Sequence, residues 1–428
     1  MAEGESIVCA RLALLGDHDS AHVSGSAGVF SRGARNRGPL VIRGCAYKSE
    51  RARDIGGRRA STKDIQPLGL DAVDPMRLLL FVARRLLLLI PTLIGVTVIT
   101  FVLSRAVPVD QLVSIYINPR SPVPRDQQIA TVVRLLHLDE PLPVQYVYYL
   151  ASLFHGDWGI TNTNLYEGPV TGALVVFFPP TVELAVAATF LATLIGIPLG
   201  TLSAVRKDRL SDHVTRVVAL TGYSMPLFWL ALVLQIFAVK YAPWLPIQGQ
   251  VTPGILSGRP WVVGSGVFDS TPTHFLILDA ALNGDGEIFW DALRHLILPA
   301  LTLTYGFLGV ILRMVRSGMV DAMNQEYVKT AWSKGLPESV VIRKHIRRNA
   351  LLPVTTVVGL LFAGLLGGVV LVEDVFIWNG IGRWATVAII SHDLAAILAT
   401  TLVFALFLVL VNLVVDIVYA YLDPRIAL

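Results

Sequence analysis

From Met76 onward the chain alternates between long stretches free of charged residues and shorter polar connections. Six stretches stand out: Leu86–Leu103 with 18 residues, Leu184–Val205 with 22, Val217–Val239 with 23, His295–Leu312 with 18 if His295 is neutral, Asn349–Val372 with 24 and Leu394–Val415 with 22. A helix rises about 1.5 Å per residue, so about 20 apolar residues cross about 30 Å of hydrocarbon. Six stretches of that length argue against buried helices of a soluble protein. The pattern predicts an all-α membrane protein with six transmembrane helices, at about 79–104, 177–205, 214–241, 293–316, 349–373 and 393–421.

The connections are unequal. Lys and Arg near span ends stay on the cytoplasmic side. With an even number of spans, one side holds 16 of the 24 basic residues after Met76, among them Arg84, Arg85, Arg206, Arg216, Arg313, Arg316, Arg343 and Arg348. Both ends of the membrane region are therefore expected in the cytoplasm. The outer loops, roughly 106–175 and 241–292, are rich in Pro, Gly, Asp and aromatic residues, including Pro119, Pro122, Trp158 and Trp244. Within the first, Leu142–Phe154 reads as a short amphipathic helix along the membrane surface.

The inner connection 318–350 is long, charged and helix-forming. Glu326 to Lys334 predicts a helix that Gly335 ends, since glycine readily takes the left-handed conformation past a helix terminus. Leu336-Pro337-Glu338 turns the chain, and Pro337 suits the start of a second helix. That helix, Ser339–Asn349, places Val341, Ile342, His345 and Ile346 on one side, with Arg343, Lys344, Arg347 and Arg348 on or beside the other. A protruding helix–turn–helix elbow suits docking into a groove on another protein.

Composition agrees: 54% of residues are hydrophobic and 15% charged, where soluble domains carry about 25%. The formal charge of +4 is too small to argue for nucleic acid. Cys9 and Cys45 are the only cysteines, so thiol chemistry is excluded from residues 76–428. Residues 1–75 are rich in Gly, Ser and Arg without a periodic apolar face. They read as a disordered extension or as untranslated sequence before a start at Met76, and the second reading is favoured. No Gly-Lys-Ser/Thr phosphate loop occurs, so ATP must be bound elsewhere if it drives this protein.

Several residues carry individual expectations. Gly196/Gly200 and Gly364/Gly368 have the spacing for close helix approach, within the chain or between subunits. Glu183, Glu373 and Asp374 are candidates for the translocation path, although solvation or pairing near span ends explains them equally, as it does Asp416. His295 and His392 are expected at the membrane interface, with no metal site. Trp158 suits either the membrane surface or a docked partner. The outer acidic residues Asp269, Asp279, Asp285, Glu287 and Asp291 are either solvated loop charges or a steering field for that partner.

Tyr327-Val328-Lys329-Thr330-Ala331, Lys334-Gly335-Leu336 and Arg348-Asn349-Ala350-Leu351-Leu352-Pro353 resemble the coupling loop of ABC importer permeases, in their dipeptide/oligopeptide/nickel branch. Where the general pattern begins Glu-Ala-Ala, this chain has Lys329-Thr330-Ala331. Arg84-Arg85-Leu86 with Pro91-Thr92, Gly156-Asp157-Trp158-Gly159, Pro180-Thr181-Val182-Glu183-Leu184-Ala185, Gly196-Ile197-Pro198-Leu199-Gly200, Glu373-Asp374-Val375-Phe376 with Gly380-Ile381-Gly382, Val415-Asp416-Ile417-Val418-Tyr419 and Leu422-Asp423-Pro424-Arg425-Ile426 resemble the family in the same order. The resemblance implies a type I importer permease fold and an ATPase-coupling role for Glu326, Tyr327, Thr330, Ala331, Lys334, Gly335 and Leu336. It implies a sister permease, two ATPase subunits or domains that bind ATP and Mg, an extracytoplasmic substrate-binding protein, a place in the plasma or inner membrane, and no cofactor in this chain. Di- or oligopeptides are the expected substrate, with nickel or oligosaccharides as alternatives. A secondary transporter would need a coupling-ion site at mid-depth, and a membrane protease would need a motif such as His-Glu-x-x-His; neither appears.

Overall fold

The computed structural model describes residues 75–422 except 110–112, 114–115, 118–121 and 263–271, and omits the side chains of 75–79, 81, 366–368 and 419–422. The readings of residues 1–74, of Pro119, Arg120 and Asp269, and of Asp423 to Ile426 lie outside it.

The first apolar stretch is α1, Pro75–Arg105. Two short helices follow, α2 (Arg125–Leu135) and α3 (Leu142–Phe154), then a hairpin of β1 (Ile160–Asn162) and β2 (Glu167–Pro169). The hairpin is antiparallel, with Thr161 opposite Gly168. α3 covers the predicted surface helix, and it packs on α1. Tyr146 and Tyr149 hydroxyls meet Thr97 and Thr100 at 2.9 and 3.1 Å, and Arg105 Nε donates to Gln145 Oε1 at 2.5 Å.

α4, Val170–Val205, starts before its charge-free window and runs through Pro179, Pro180 and Pro198. The third stretch is not one straight helix. It divides into α5 (Leu210–Ser224) and α6 (Leu227–Tyr241), bent by 109°. Pro226 is the cause: it lacks an N–H and pushes Met225 to an extended ψ of 132°. After α7 (Leu276–Leu282) comes α8, Gly286–Met323, whose 38 residues extend about 57 Å, well beyond a bilayer core. α9 (Glu326–Ser333) and α10 (Glu338–Ala350) form the elbow, and α11 (Leu352–Gly368) departs from α10 at 49°. α12 (Val370–Val375), α13 (Ile381–Ile390) and α14 (Leu394–Leu422) follow.

Among the described residues, four helices are long and apolar enough to cross a membrane alone, and two bent pairs raise the number to six if each pair is one crossing. Contacts decide the directions. α4 and α8 are parallel, since Ala188 O accepts from Thr304 while Gly196 and Gly200 lie on Ile311 and Val315. α1 runs against α14, with Arg85 Nη1 2.8 Å from Asp416 Oδ2. The chain must therefore return between α4 and α8, and α5 with α6 supplies that return. Asp212, in the first turn of α5, lies beside Ser203, whereas Gln235 of α6 donates to Ile247 O and Val375 O at the opposite end. The bent pair thus traverses the bundle once.

α8 is the central strut: 67% of its apolar window is buried, against 11% for α1. Its approach to α4 depends on glycine. A Cβ on Gly200 would lie 2.7 Å from Val315 Cβ and 3.1 Å from Leu312 O, and one on Gly196 2.7 Å from Ile311 Cγ2. This pair therefore serves packing within the chain. Gly364 has nothing within 4 Å of such a Cβ, and Gly368 lies outside the described side chains. Gly200→Leu is expected to destabilise the purified protein by about 2–3 kcal/mol through overpacking, and Gly364→Leu to leave its melting temperature unchanged. Thermal unfolding in detergent of both variants checks the contrast.

Candidate functional site

The elbow is built from a closed inner half and an open outer half. Lys334 ends α9, and Gly335 takes φ +73°. Gly335 N donates to Trp332 O at 2.9 Å and Leu336 N to Ala331 O at 3.4 Å, the paired bonds of a Schellman turn. Pro337 then stands at the N-cap of α10. The second helix contains a π turn, Val341–Ile346, which periodicity alone does not show. Its inner residues follow the expected pattern: Val341 and Ile346 are buried and Ile342 and His345 half-buried, while Arg343, Lys344, Arg347 and Arg348 are exposed.

Val328, Ala331, Val341, Ile346 and Ala350 pack with Val315, Met319 and Ala322 of α8, and Leu336 closes the cluster. Gly318 allows close contact, since a Cβ there would lie 2.8 Å from Ala350 O. The elbow is therefore fastened to the end of the longest helix, and displacement of one displaces the other. Of the seven expected coupling residues, Glu326, Tyr327, Thr330, Lys334 and Gly335 lie on the exposed half. Ala331 is 5% exposed and Leu336 half-buried, so these two hold the elbow's shape instead of offering a surface. Trp332, 46% exposed, belongs to that surface and was not among the sequence candidates. An exposed tryptophan beside Tyr327 in a charged loop was the available signal.

The path candidates separate. Glu373 is wholly buried: Thr181 Oγ1 donates to Oε1 at 2.6 Å, and Arg383 N donates to Oε2 at 3.0 Å. The Gly382 N–H also reaches it. The carboxylate sits at the N-terminus of α13, where helix N–H groups favour an anion, and it joins α4, α12 and α13. Within this chain Glu373 is a staple and lines no open path. Glu183 is half-buried and accepts from Ile277 N at 2.9 Å, which fastens α7 to α4. Asp374 is exposed. The three do not converge on one site.

Residues 78–176 match the family model for the N-terminal part of the binding-protein-dependent transport system membrane component, and 196–428 match that for the binding-protein-dependent transport system inner membrane component. The chain belongs to this permease family. It is 42% identical over 336 residues to the "Probable D,D-dipeptide transport system permease protein DdpB" of Escherichia coli K12, covering 78% of this chain and 93% of that one. It is 39% identical over 350 residues to the dipeptide transport system permease protein DppB of the same strain, covering 82% and 99%. The oligopeptide transport system permease protein AppB of Bacillus subtilis is 34% identical over 347 residues, covering 81% and 98%.

Elsewhere in this permease, charged groups taken as surface features prove structural. Asp279, Asp285 and Asp291 each accept hydrogen bonds within the fold instead of standing as free loop charges. Asp279 accepts from Thr273 N and Oγ1, Asp291 from Thr252 N and Oγ1 at 2.7 and 2.8 Å, and Asp285 caps α8 through Ile288 N. Glu287 is exposed and pairs with Arg259; Glu287 and Asp285 together hold that guanidinium above its ordinary pKa. His295 is buried against its own helix, with Nδ1 2.9 Å from Asp291 O. His392 is exposed. Trp158 packs among residues of α4, α13 and α14 and donates to Leu153 O at 3.2 Å, so its ring is partly enclosed by the chain. Asp393 holds the β hairpin on α14 through Thr161 Oγ1 and Asn162 N, both at 2.8 Å.

The sequence reading missed Asp212. It is fully buried where α4 ends and α5 begins, and it accepts from Ser203 Oγ at 2.5 Å and from Asp208 N at 3.0 Å. Arg216 pairs with it, and Arg316 of α8 grips it with Nε at 2.8 Å and Nη2 at 3.0 Å. An Asp four residues before an Arg at a span end was the available signal.

Proposed function

We propose that this permease forms half of the path of an ATP-driven importer for di- or oligopeptides. A sister permease forms the other half, and an ATPase subunit seats on the elbow at 326–348. Both ends of the membrane region lie in the cytoplasm with the elbow, and an extracytoplasmic binding protein delivers substrate at the opposite end. ATP and Mg belong to the ATPase, since this chain has no phosphate loop. The names of the relatives support the peptide substrate, and the basic bias of one side supports the orientation.

One observation carries the coupling role. The exposed half of the elbow presents Tyr327 and Trp332 among Lys329, Lys334, Arg343 and Lys344, while its other half is packed against α8. Aromatic anchors ringed by charge are what a protein partner's groove recognises. Neither ring belongs to the cluster that packs the elbow on α8, so Trp332→Ala is expected to weaken retention of the co-purified ATPase by roughly 30-fold, the value of a single hot-spot contact of about 2 kcal/mol. Its own melting temperature should not change. ATPase retention equal to that of the unmodified protein would remove the elbow as the docking surface.

A further inference from the structure

At the elbow's end of the bundle, a cavity of about 460 Å³ opens between α5 and α8 beside the end of α4. Arg216, Arg313 and Arg316 line it, with Ser317, Asp321 and an apolar wall that includes Leu220. Its size is that of a small-molecule site.

These arginines keep hydrogen-bond donors beyond those their carboxylate partners take up. A guanidinium has five N–H donors. Arg316 directs Nε and Nη2 at Asp212, and Arg216 directs Nε and Nη2 at Asp212 and Asp208, so the Nη1 groups of both have no hydrogen-bond partner among the described residues. Arg313 has no carboxylate partner among the described residues; its guanidinium lies over the Tyr223 ring at 5.5 Å. Buried Asp212 holds two of the three arginines at fixed positions, which removes much of the entropy cost of ordering them around a ligand. The carboxylate of Asp321 likewise has no ion-pair partner among the described residues. Counting Asp208, Asp212 and Asp321 against the three arginines, the cavity is neutral overall yet divided, with surplus donors on one part and a carboxylate on another.

A ligand matching that division carries a phosphate and a cation together. The surroundings say how it arrives. Leu210, Val214, Val217, Leu220 and Tyr223 of α5 form an exposed apolar flank beside the cavity, on a helix of a candidate membrane span. Basic pockets between membrane helices on the cytoplasmic side hold phospholipid headgroups, and arginine suits a phosphate because two N–H groups reach it together. We infer that this cavity binds the headgroup of a phosphoethanolamine lipid from the adjoining leaflet. The phosphodiester lies against Arg313 and Arg316, the ammonium faces Asp321, and the acyl chains follow α5. The inference depends on the chain's place in a membrane and not on the peptide substrate.

The test uses the permease purified with the subunits that accompany it, stripped of lipid by detergent and then incubated with vesicles containing phosphatidylethanolamine or phosphatidylglycerol. Native mass spectrometry should find one retained phosphatidylethanolamine per permease and a clear preference over phosphatidylglycerol. Arg313→Gln is expected to lower that retention about tenfold, a change of about 1.4 kcal/mol. Asp321→Asn should remove the preference between the two lipids. Arg206→Gln, an exposed arginine at the same end but outside the cavity, should change neither. The inference fails if no lipid is retained, if Arg313→Gln retains as much as the unmodified protein, or if phosphatidylglycerol binds equally well. Inorganic phosphate raising the melting temperature as much as the lipid does would show a soluble phosphate site and would also overturn it.

Discussion

Glu373→Ala should yield a permease that melts well below the unmodified protein in the same detergent. The substitution empties a fully enclosed site and leaves the Thr181 hydroxyl and the N–H of Arg383 without their acceptor. A cavity and unsatisfied buried donors together cost about 3–5 kcal/mol. Gly380 and Gly382 lie so close to the carboxylate that a Cβ on either would come within 2.2 and 2.9 Å of it, and neither carries a side chain that could turn into the space. Glu373→Gln keeps the volume and an oxygen for the backbone donors, but its NH2 displaces the Thr181 hydroxyl from its charged acceptor, and a smaller loss, at most about half the effect, is expected. Thermal unfolding of the pair separates this role from contact with substrate. A staple lowers stability in both variants, whereas a path residue changes uptake at unchanged stability. Melting at the unmodified temperature for Glu373→Ala would refute the staple.

The second large effect belongs to Gly335. Its φ of +73° is in the left-handed region, and a Cβ there would meet nothing within 4 Å. Any penalty for a side chain is therefore one of backbone conformation alone. A β-branched residue in this region costs at least about 1–2 kcal/mol, enough to open the turn that aligns α9 with α10. Gly335→Val is expected to abolish coupling between ATP hydrolysis and transport, or to prevent ATPase assembly. Gly335→Asn should retain most activity, because asparagine tolerates the left-handed region. Substrate-stimulated ATPase activity of the two variants decides the matter, and normal coupling in Gly335→Val would show that this turn does not set the elbow's shape.

The helices were legible because hydrophobic length is a direct consequence of membrane thickness. The elbow was legible because Gly335 and Pro337 act locally, each through its own backbone. What escaped depends on partners distant in sequence. The bend at Pro226 lies inside a charge-free window, where apolarity outweighed the break that Met225-Pro226 announces. The roles of Glu373 and Asp212 rest on Thr181 and Arg316, respectively 192 and 104 residues away. Arg216, four residues after Asp212, hinted at a pair there, but nothing near Glu373 in the chain distinguishes a staple from a path residue. The outer aspartates show the same limit, since a cap and a solvated charge look alike until the accepted N–H groups are known.

This permease is expected to carry peptides across a membrane when an ATPase drives it through the elbow. The most direct test places the permease, its sister and its ATPase subunits in sealed vesicles, with the binding protein and a radiolabelled dipeptide on the side away from the elbow and ATP on the elbow's side. Dipeptide accumulation against its gradient is predicted only when the binding protein and ATP are both present, and loss of accumulation with Trp332→Ala. Accumulation driven by an ion gradient without ATP, or unchanged by Trp332→Ala, would contradict it.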